Sequence, residues 1–231
     1  MSYLVFKGIS TEEMAGVEVS KMPDHKRAQM RTQEFYVRGR DGALHIDDGY
    51  ANMELSVTLV LIDAYAETRQ QVNLWATGTG KLVTSDDPAK AYKASARGEV
   101  RWSRVRGNYG FFDTAKITFD CDPYMYEAVD AEVEFSSSGT IVNPGSCTAI
   151  PLIKVEGAGN VTFTVGGQQM TVKGMTSGVP VFLDCENGYV YAASGAMEMI
   201  GEFPELPLGS SAVTLGTNCT KITITPHWRW I

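Results

Sequence analysis

The sharpest pattern in the chain is the alternation over Met53–Ile62, MELSVTLVLI, which puts Met53, Leu55, Val57, Leu59 and Leu61 on one face of a strand. The period then changes. Over Asp63–Ala76, DAYAETRQQVNLWA, residues Tyr65, Val72, Trp75 and Ala76 fall on one stripe of a helix of about 3.6 residues per turn. Arg69, Gln70, Gln71 and Asn73 take the rest of its circumference. Asp63 is the expected N-cap, Glu67 stands in the first turn, and Gly78 and Gly80 follow the end. A strand running into a one-stripe helix, with strands on both sides, predicts a β-domain with a single helix laid over its sheet.

The flanking pattern is also β-type. Tyr3–Phe6 is a short apolar start before a Gly8 turn, and Val17 and Val19 mark a strand. Lys21–Arg31 is polar and carries Pro23, as a loop or the approach to a strand; Glu34–Val37 is extended. Arg38-Gly39-Arg40-Asp41-Gly42 and Asp47-Asp48-Gly49 read as turns, and Ser85-Asp86-Asp87-Pro88 as a tight one. Tyr92–Arg106 favours strand and ends at a hairpin tip, Gly107-Asn108. In Asp113–Cys121, Ala115, Ile117, Phe119 and Cys121 point in; Asp122-Pro123-Tyr124 is expected to end that strand.

Beyond Ser136-Ser137-Ser138-Gly139 the strands become short and closely spaced: 149–155, 161–165, 169–172, 179–183, 189–192, 212–215 and 220–225. Turns separate them at Gly157-Ala158-Gly159, Gly166-Gly167, Asn187-Gly188 and Leu208-Gly209. This is the spacing of a β-sandwich. Charge changes at the same place: 16 basic and 21 acidic residues up to Phe135, then 4 and 6. The expected domains are therefore 1–135 and 136–231, in a mainly β protein.

Composition narrows the function. A net charge of −7 lacks the basic footprint of a general nucleic-acid binder, and the apolar runs are too short for a membrane helix. Cys121, Cys147, Cys185 and Cys219 include no CxxC pair, so free thiols are expected rather than a zinc site. MSYLVFKGIS lacks the pattern of a signal peptide, so synthesis in a reducing cytoplasm is expected. Asn160 and Asn218 match the glycosylation pattern, which carries no weight without secretion.

Candidate chemistry is sparse. Gly78-Thr79-Gly80-Lys81-Leu82 resembles part of a phosphate loop, but Trp75 stands where the first glycine is required and Leu82 replaces the Mg²⁺-binding hydroxyl. Asp47-Asp48 and Asp86-Asp87 are paired carboxylates in turn contexts. His25, His45 and His227 have no neighbour at ligand spacing, and no nucleophile motif is present. These readings assign no catalytic, metal or cofactor-binding residue and no cofactor. Arg97, Arg101, Arg104 and Arg106 form either an anion patch with Trp102 and Tyr109 or, more plainly, a solvated face or one paired with a neighbouring subunit. Tyr189, Tyr191 and Trp228 would suit a glycan platform; core closure by Trp228 and Trp230 on one face of a last strand is the plainer reading.

In order and spacing, many short motifs together resemble the distal tail proteins of long-tailed, siphovirus-type bacteriophages. In the N-terminal part these are Phe6-Lys7-Gly8-Ile9-Ser10, Arg38-Gly39-Arg40-Asp41-Gly42, Gly49-Tyr50 and the long strand entering the helix. They continue with Leu74-Trp75, Thr77-Gly78, Lys81-Leu82, Asp86-Asp87-Pro88, Tyr92-x-Ala94 and Phe119-Asp120-Cys121-Asp122-Pro123-Tyr124. The C-terminal motifs are Asn143-Pro144-Gly145, Pro151-Leu152-Ile153, Gly157-x-Gly159, Phe182-Leu183-Asp184 and Pro226-x-Trp228-Arg229-Trp230. His227 departs from the basic residue expected there, and no long insertion interrupts the second half.

The resemblance implies a non-enzymatic tail-tip hub of the virion. Its N-terminal domain, a split barrel with one helix, is expected to form a hexameric ring joining the tail tube protein to the tail-tip protein. Its C-terminal galectin-like sandwich is expected to project outward and dock receptor-binding or other baseplate proteins. The ring opening would lie on the path of the genome, where an acidic protein avoids retaining DNA. Loops such as Arg38–Gly49 are candidates for contacts with neighbouring subunits, and a lectin-like carbohydrate-binding module is the alternative.

Overall fold

The computed structural model describes residues 2–62, 66–107 and 110–231. Asp63, Tyr65, Asn108 and Tyr109, invoked above for the N-cap, the helix stripe, the hairpin tip and the anion patch, lie outside them. The chain divides into two compact units, residues 1–128 with Ile231, and residues 129–230. The charge step at Phe135 lies inside the second unit, because Val133–Phe135 pairs with the last strand there.

The first unit runs β1 (Leu4–Phe6), β2 (Ile9–Ser10), a 3₁₀ turn (Thr11–Glu13), β3 (Val17–Lys21), β4 (Met30–Phe35), β5 (Leu44–Tyr50), β6 (Met53–Leu61), α1 (Ala66–Trp75), β7 (Gly78–Thr84), β8 (Asp87–Ala96), β9 (Arg101–Gly107) and β10 (Gly110–Glu127). Eight strands form a curled, open half-barrel in the order β2-β1-β7-β8-β10-β6-β3, with β9 also on β10. β10 is the spine. One edge, Asp113–Cys121, pairs with Leu61–Met53 of β6. The other takes β9 along Gly110–Lys116 and then β8 along Asp120–Glu127. The expected stop at Asp122-Pro123-Tyr124 is therefore corrected. The strand continues through a register shift between Cys121 and Met125, which gives Pro123 a place where ladder bonding is already interrupted.

Alternation builds the core. Met53, Leu55, Val57, Leu59 and Leu61 are all buried, as are Ala115, Ile117, Phe119 and Cys121 opposite them. The helix covers this face with Val72, Trp75 and Ala76, as their spacing predicts. Phe6, Trp75 and Phe119 meet edge to face, with centroids 5.0–6.0 Å apart. The Trp75 indole N–H donates to the Ile9 carbonyl at 3.0 Å, so its polar atom is satisfied.

The second unit contains β11 (Val133–Phe135), β12 (Gly139–Asn143), β13 (Leu152–Gly157), β14 (Gly159–Val165), β15 (Gln168–Met175), β16 (Val181–Asp184), β17 (Tyr189–Ala192), β18 (Gly195–Ala196), β19 (Met199–Ile200), β20 (Gly209–Leu215) and β21 (Cys219–Thr225). A six-stranded sheet runs β11-β21-β13-β16-β17-β18, and a five-stranded sheet runs β12-β20-β14-β15-β19. The expected strands are present, and β11, β12, β18 and β19 are added to them. Ile153, Val155, Leu183, Ile222 and Ile224 of one sheet share a single buried cluster with Val161, Phe163, Val165, Val172 and Val213 of the other.

The terminal Trp pair needs a correction. β21 ends at Thr225, and His227 has a positive φ of 52°, so Trp228 and Trp230 do not alternate along one strand. Trp228 is buried at 6% exposure, while Trp230 only packs partly against the cluster. The Arg229 carbonyl accepts from Ser146 and Cys147, and a Cβ on Gly145 would stand 2.4 Å from that oxygen. Asn143 fixes the same corner, donating to the Cys147 and Leu206 carbonyls and accepting from the Gly145 N–H. These motif residues are structural.

Candidate assembly surfaces

The first candidate is the β4–β5 arm. These strands pair with each other and, among the described residues, with no other strand. Directly opposed residues share a face, so Phe35↔Leu44 and Gln33↔Ile46 form one side, and Glu34↔His45 and Thr32↔Asp47 the other. The second side is polar: His45 Nδ1 lies 3.6 Å from Glu34 Oε1, and Thr32 donates to Asp47. The first is apolar and uncovered, with Phe35 46%, Leu44 39% and Ile46 56% exposed. Val37, 49% exposed, follows Phe35 toward the tip, while Tyr36, 78% exposed, donates its hydroxyl to Glu34 at 3.1 Å. Such a concentration of apolar side chains in water usually marks a surface that another molecule covers.

Sequence placed extended chain at Glu34–Val37 and contacts at Arg38–Gly49. It misread Asp47-Asp48-Gly49, which lies within β5 and makes no turn. Met30 pairs with Tyr50 and Thr32 with Asp47, so Asp48 and Gly49 together face Arg31 as a bulge. Gly49 adopts φ 69°, and Arg31 Nε donates to the Asp48 carbonyl at 2.9 Å. A DG pair fits a bulge as well as a turn.

The second candidate is a pair of strand edges. At one level of the sheet Val17, Leu61, Asp113 and Arg104 stand in a row, and at the next Glu18, Val60, Thr114 and Ser103. The order β3-β6-β10-β9 thus ends on both sides in a strand whose outer edge is unpaired among the described residues. Asp113, inward on β10 and 3% exposed, ties this region together. It accepts from Arg69 of α1 and faces Arg104 of β9 at 3.4 Å. Its inward parity was a readable signal, since a carboxylate there requires a cation.

The arginine cluster is thereby dispersed. Arg104 serves Asp113, Arg101 Nε lies 3.4 Å from Glu99 Oε2, and Arg97 lines a separate groove with Lys93, Ser95 and Asp120. Trp102 is no stacking surface: it packs partly on the core and donates to Asn73 Oδ1 at 3.1 Å.

The other predicted groups do not converge. Asp86 and Asp87 belong to the β7–β8 turn, and His25 lies 3.4 Å from Asp86. His227 Nδ1 lies 3.3 Å from the Ile150 carbonyl oxygen. Among the described residues no three His, Cys, Asp or Glu groups are placed to hold a metal. Gly78–Leu82 is strand β7, and Lys81 Nζ donates to the carbonyls of Glu127 and Ala128. The four cysteines are free; burial pushes the Cys121 and Cys185 thiols up to about 12 and Cys219 to about 11.

On the second unit, Tyr191 is stacked on Phe182 at 5.3 Å and 18°, with Tyr189 tilted beside it at 5.4 Å and 39°. Phe182 thus covers one face of the Tyr191 ring, and Tyr189 remains 50% exposed. Burial acts to raise the pKa of neighbouring Asp184, but hydrogen bonds from Asn187, Tyr189 and Glu186 prevail and hold it below the usual carboxylate range.

No protein-family profile and no curated protein matches the chain. Among solved structures, that of the SPP1 Dit (gp 19.1) protein, described as a paradigm of hub adsorption apparatus in phages infecting Gram-positive bacteria, matches with a TM-score of 0.74 at 14% identity. The match covers 98% of each chain. Two structures of the phage P2 baseplate in its activated conformation, with Ca and with Sr, match at 11% and 10% identity with TM-scores of 0.48 and 0.47. Each covers 98% or more of both chains. Through both of its units, the chain therefore has the fold of the phage tail protein Dit.

Proposed function

We propose that the protein is a non-catalytic structural hub of a phage tail tip, present in the virion after synthesis in the bacterial cytoplasm. It assembles as a hexameric ring that connects the tail tube to the tail-tip protein. The half-barrel unit, residues 1–128, forms the ring. The second unit, residues 129–230, a galectin-like sandwich, faces outward to receptor-binding or other baseplate proteins. The observation that carries this reading is the likeness to Dit over 98% of both chains, which spans two dissimilar units in the same order. The bare apolar side of the β4–β5 arm supports it, since a subunit of a ring must bury surface against its neighbours. Two open edges on opposite sides of one sheet also suit head-to-tail contacts that close only when the rotation per copy closes.

The net charge of −7 fits a passage for DNA. Against a lectin-like alternative stands the burial of Trp228. Electron microscopy of the purified protein, alone and with the tail tube protein of the same phage, tests the reading. Six-fold rings are expected. A protein that remains a monomer with that partner present would overturn it.

A further inference from the structure

Resting on the ring reading, we infer that β9 of one copy adds to the free edge of β3 in the next, setting Arg101 and Arg106 of the first against Glu12 and Glu18 of the second.

Strand direction permits this. β3, β6, β10 and β9 are joined by antiparallel pairs throughout, so β9 runs opposite to β3. A second copy placed beside β9 through its own β3 therefore continues the antiparallel alternation without a break.

Charge gives the contact its direction. Residues 100–107, VRWSRVRG, hold three arginines and no acid, whereas residues 11–21, TEEMAGVEVSK, hold three glutamates and one base, Lys21, at the far end of β3. Glu12, Glu18, Arg101 and Arg106 are all exposed. Beside β3 lies a cleft of about 380 Å³ lined by Glu12, Met14, Ala15, Val17, Glu18 and Val19, apolar at its base and acidic at its rim. The β9 side offers matching chemistry, with Val105 39% and Phe111 66% exposed among the arginines. Two copies meeting β9 to β9 would oppose arginines, and two meeting β3 to β3 would bring together two net-acidic segments. Like charges directly across a strand pair destabilise it, so both two-fold dimers are disfavoured and the head-to-tail contact is left. The charge pattern thus selects a cycle over a symmetric pair.

The test reverses exposed charges that hold no buried group; Arg101 faces only the equally exposed Glu99. Arg104 is kept because it holds Asp113, and Glu13 because it accepts the Ser10 N–H at 3.1 Å. Arg101→Glu with Arg106→Glu, and separately Glu12→Arg with Glu18→Arg, are followed by analytical ultracentrifugation of the full chain at low salt. Each pair should weaken association about tenfold or more, and placing all four changes on one chain should restore it to within a few-fold. Circular dichroism and melting of each variant, with rescue in the combined chain, separate loss of contact from loss of fold. Reversal variants that associate as well as the wild type, or a combined variant that fails to recover, overturn the β9–β3 contact and leave the ring standing. Wild-type chains that never associate, even with the tube protein, overturn the ring and this contact with it.

Discussion

The two units treat apolar surface in opposite ways. The second sets two sheets around one buried cluster and fills the end of the chain with Trp228. Its exposed large apolar residues, Val129, Val142, Tyr189, Ile200 and Leu208, are scattered along the sequence. The first has one half-barrel covered on its inner face by one helix, and five exposed apolar residues lie between Phe35 and Ile46. Both units end their sheets in edge strands, but the first also carries an arm whose two strands pair with no third among the described residues and whose apolar side is exposed. Function is therefore expected where packing is unfinished, and the well-packed unit is the platform.

The comparison breaks most readily at the closure of the second unit. Trp228→Ala should cost about 3–5 kcal/mol, seen in calorimetry of the full chain as a lowered transition for that unit with the other unchanged. An unshifted transition would remove Trp228 from the core argument. In the first unit, Asp113→Ala should cost about 1–3 kcal/mol, less than a fully buried network because Arg69 and Arg104 reach solvent. Denaturant unfolding measures this loss.

Phe35→Ser combined with Ile46→Ser should change folding stability by no more than about 0.5 kcal/mol, since neither side chain contributes to the buried core. The same pair should abolish association. Marked unfolding would mean that the arm supports its own unit.

A smaller effect concerns acid. With its pKa held low, Asp184 stabilises the fold above its unfolded value of about 3.9, and that contribution is lost as pH falls through the lower folded value. Asp184→Asn should flatten this part of the acid limb below about pH 4 in melting curves. Least affected should be the thiols. At pH 8, Cys121 and Cys185 should be only about one part in ten thousand thiolate and should resist iodoacetamide until the chain unfolds, as mass spectrometry of labelled peptides can show.

Much of this contrast was legible in the chain. Period-two alternation located β6 and the first half of β10, and the 3.6 period located Val72 and Trp75 on the helix, because one-sided burial writes itself directly into residue order. Bulges did not show. Asp48-Gly49 and Pro123 carry turn residues, yet at both places a partner strand continues pairing beyond the irregularity, and local composition cannot reveal a partner. The short strands β18 and β19 escaped for the same reason, having only two residues each. The partner of Arg104 was hidden because Asp113 becomes its neighbour only once β9 folds onto β10, whereas Glu99 stands two residues from Arg101 in the chain. The arm's apolar face was hidden by turn residues at its tip, although Phe35, Leu44 and Ile46 already had strand-compatible spacing.

The most direct measurement is amide hydrogen exchange of the protein free and within intact tails. The account predicts that residues 17–21, 30–50 and 101–107 gain strong protection on assembly, since these edges and this arm become covered. Equal exchange of those segments in both states would contradict it, because the surfaces left open by the first unit would then remain open in the finished tail.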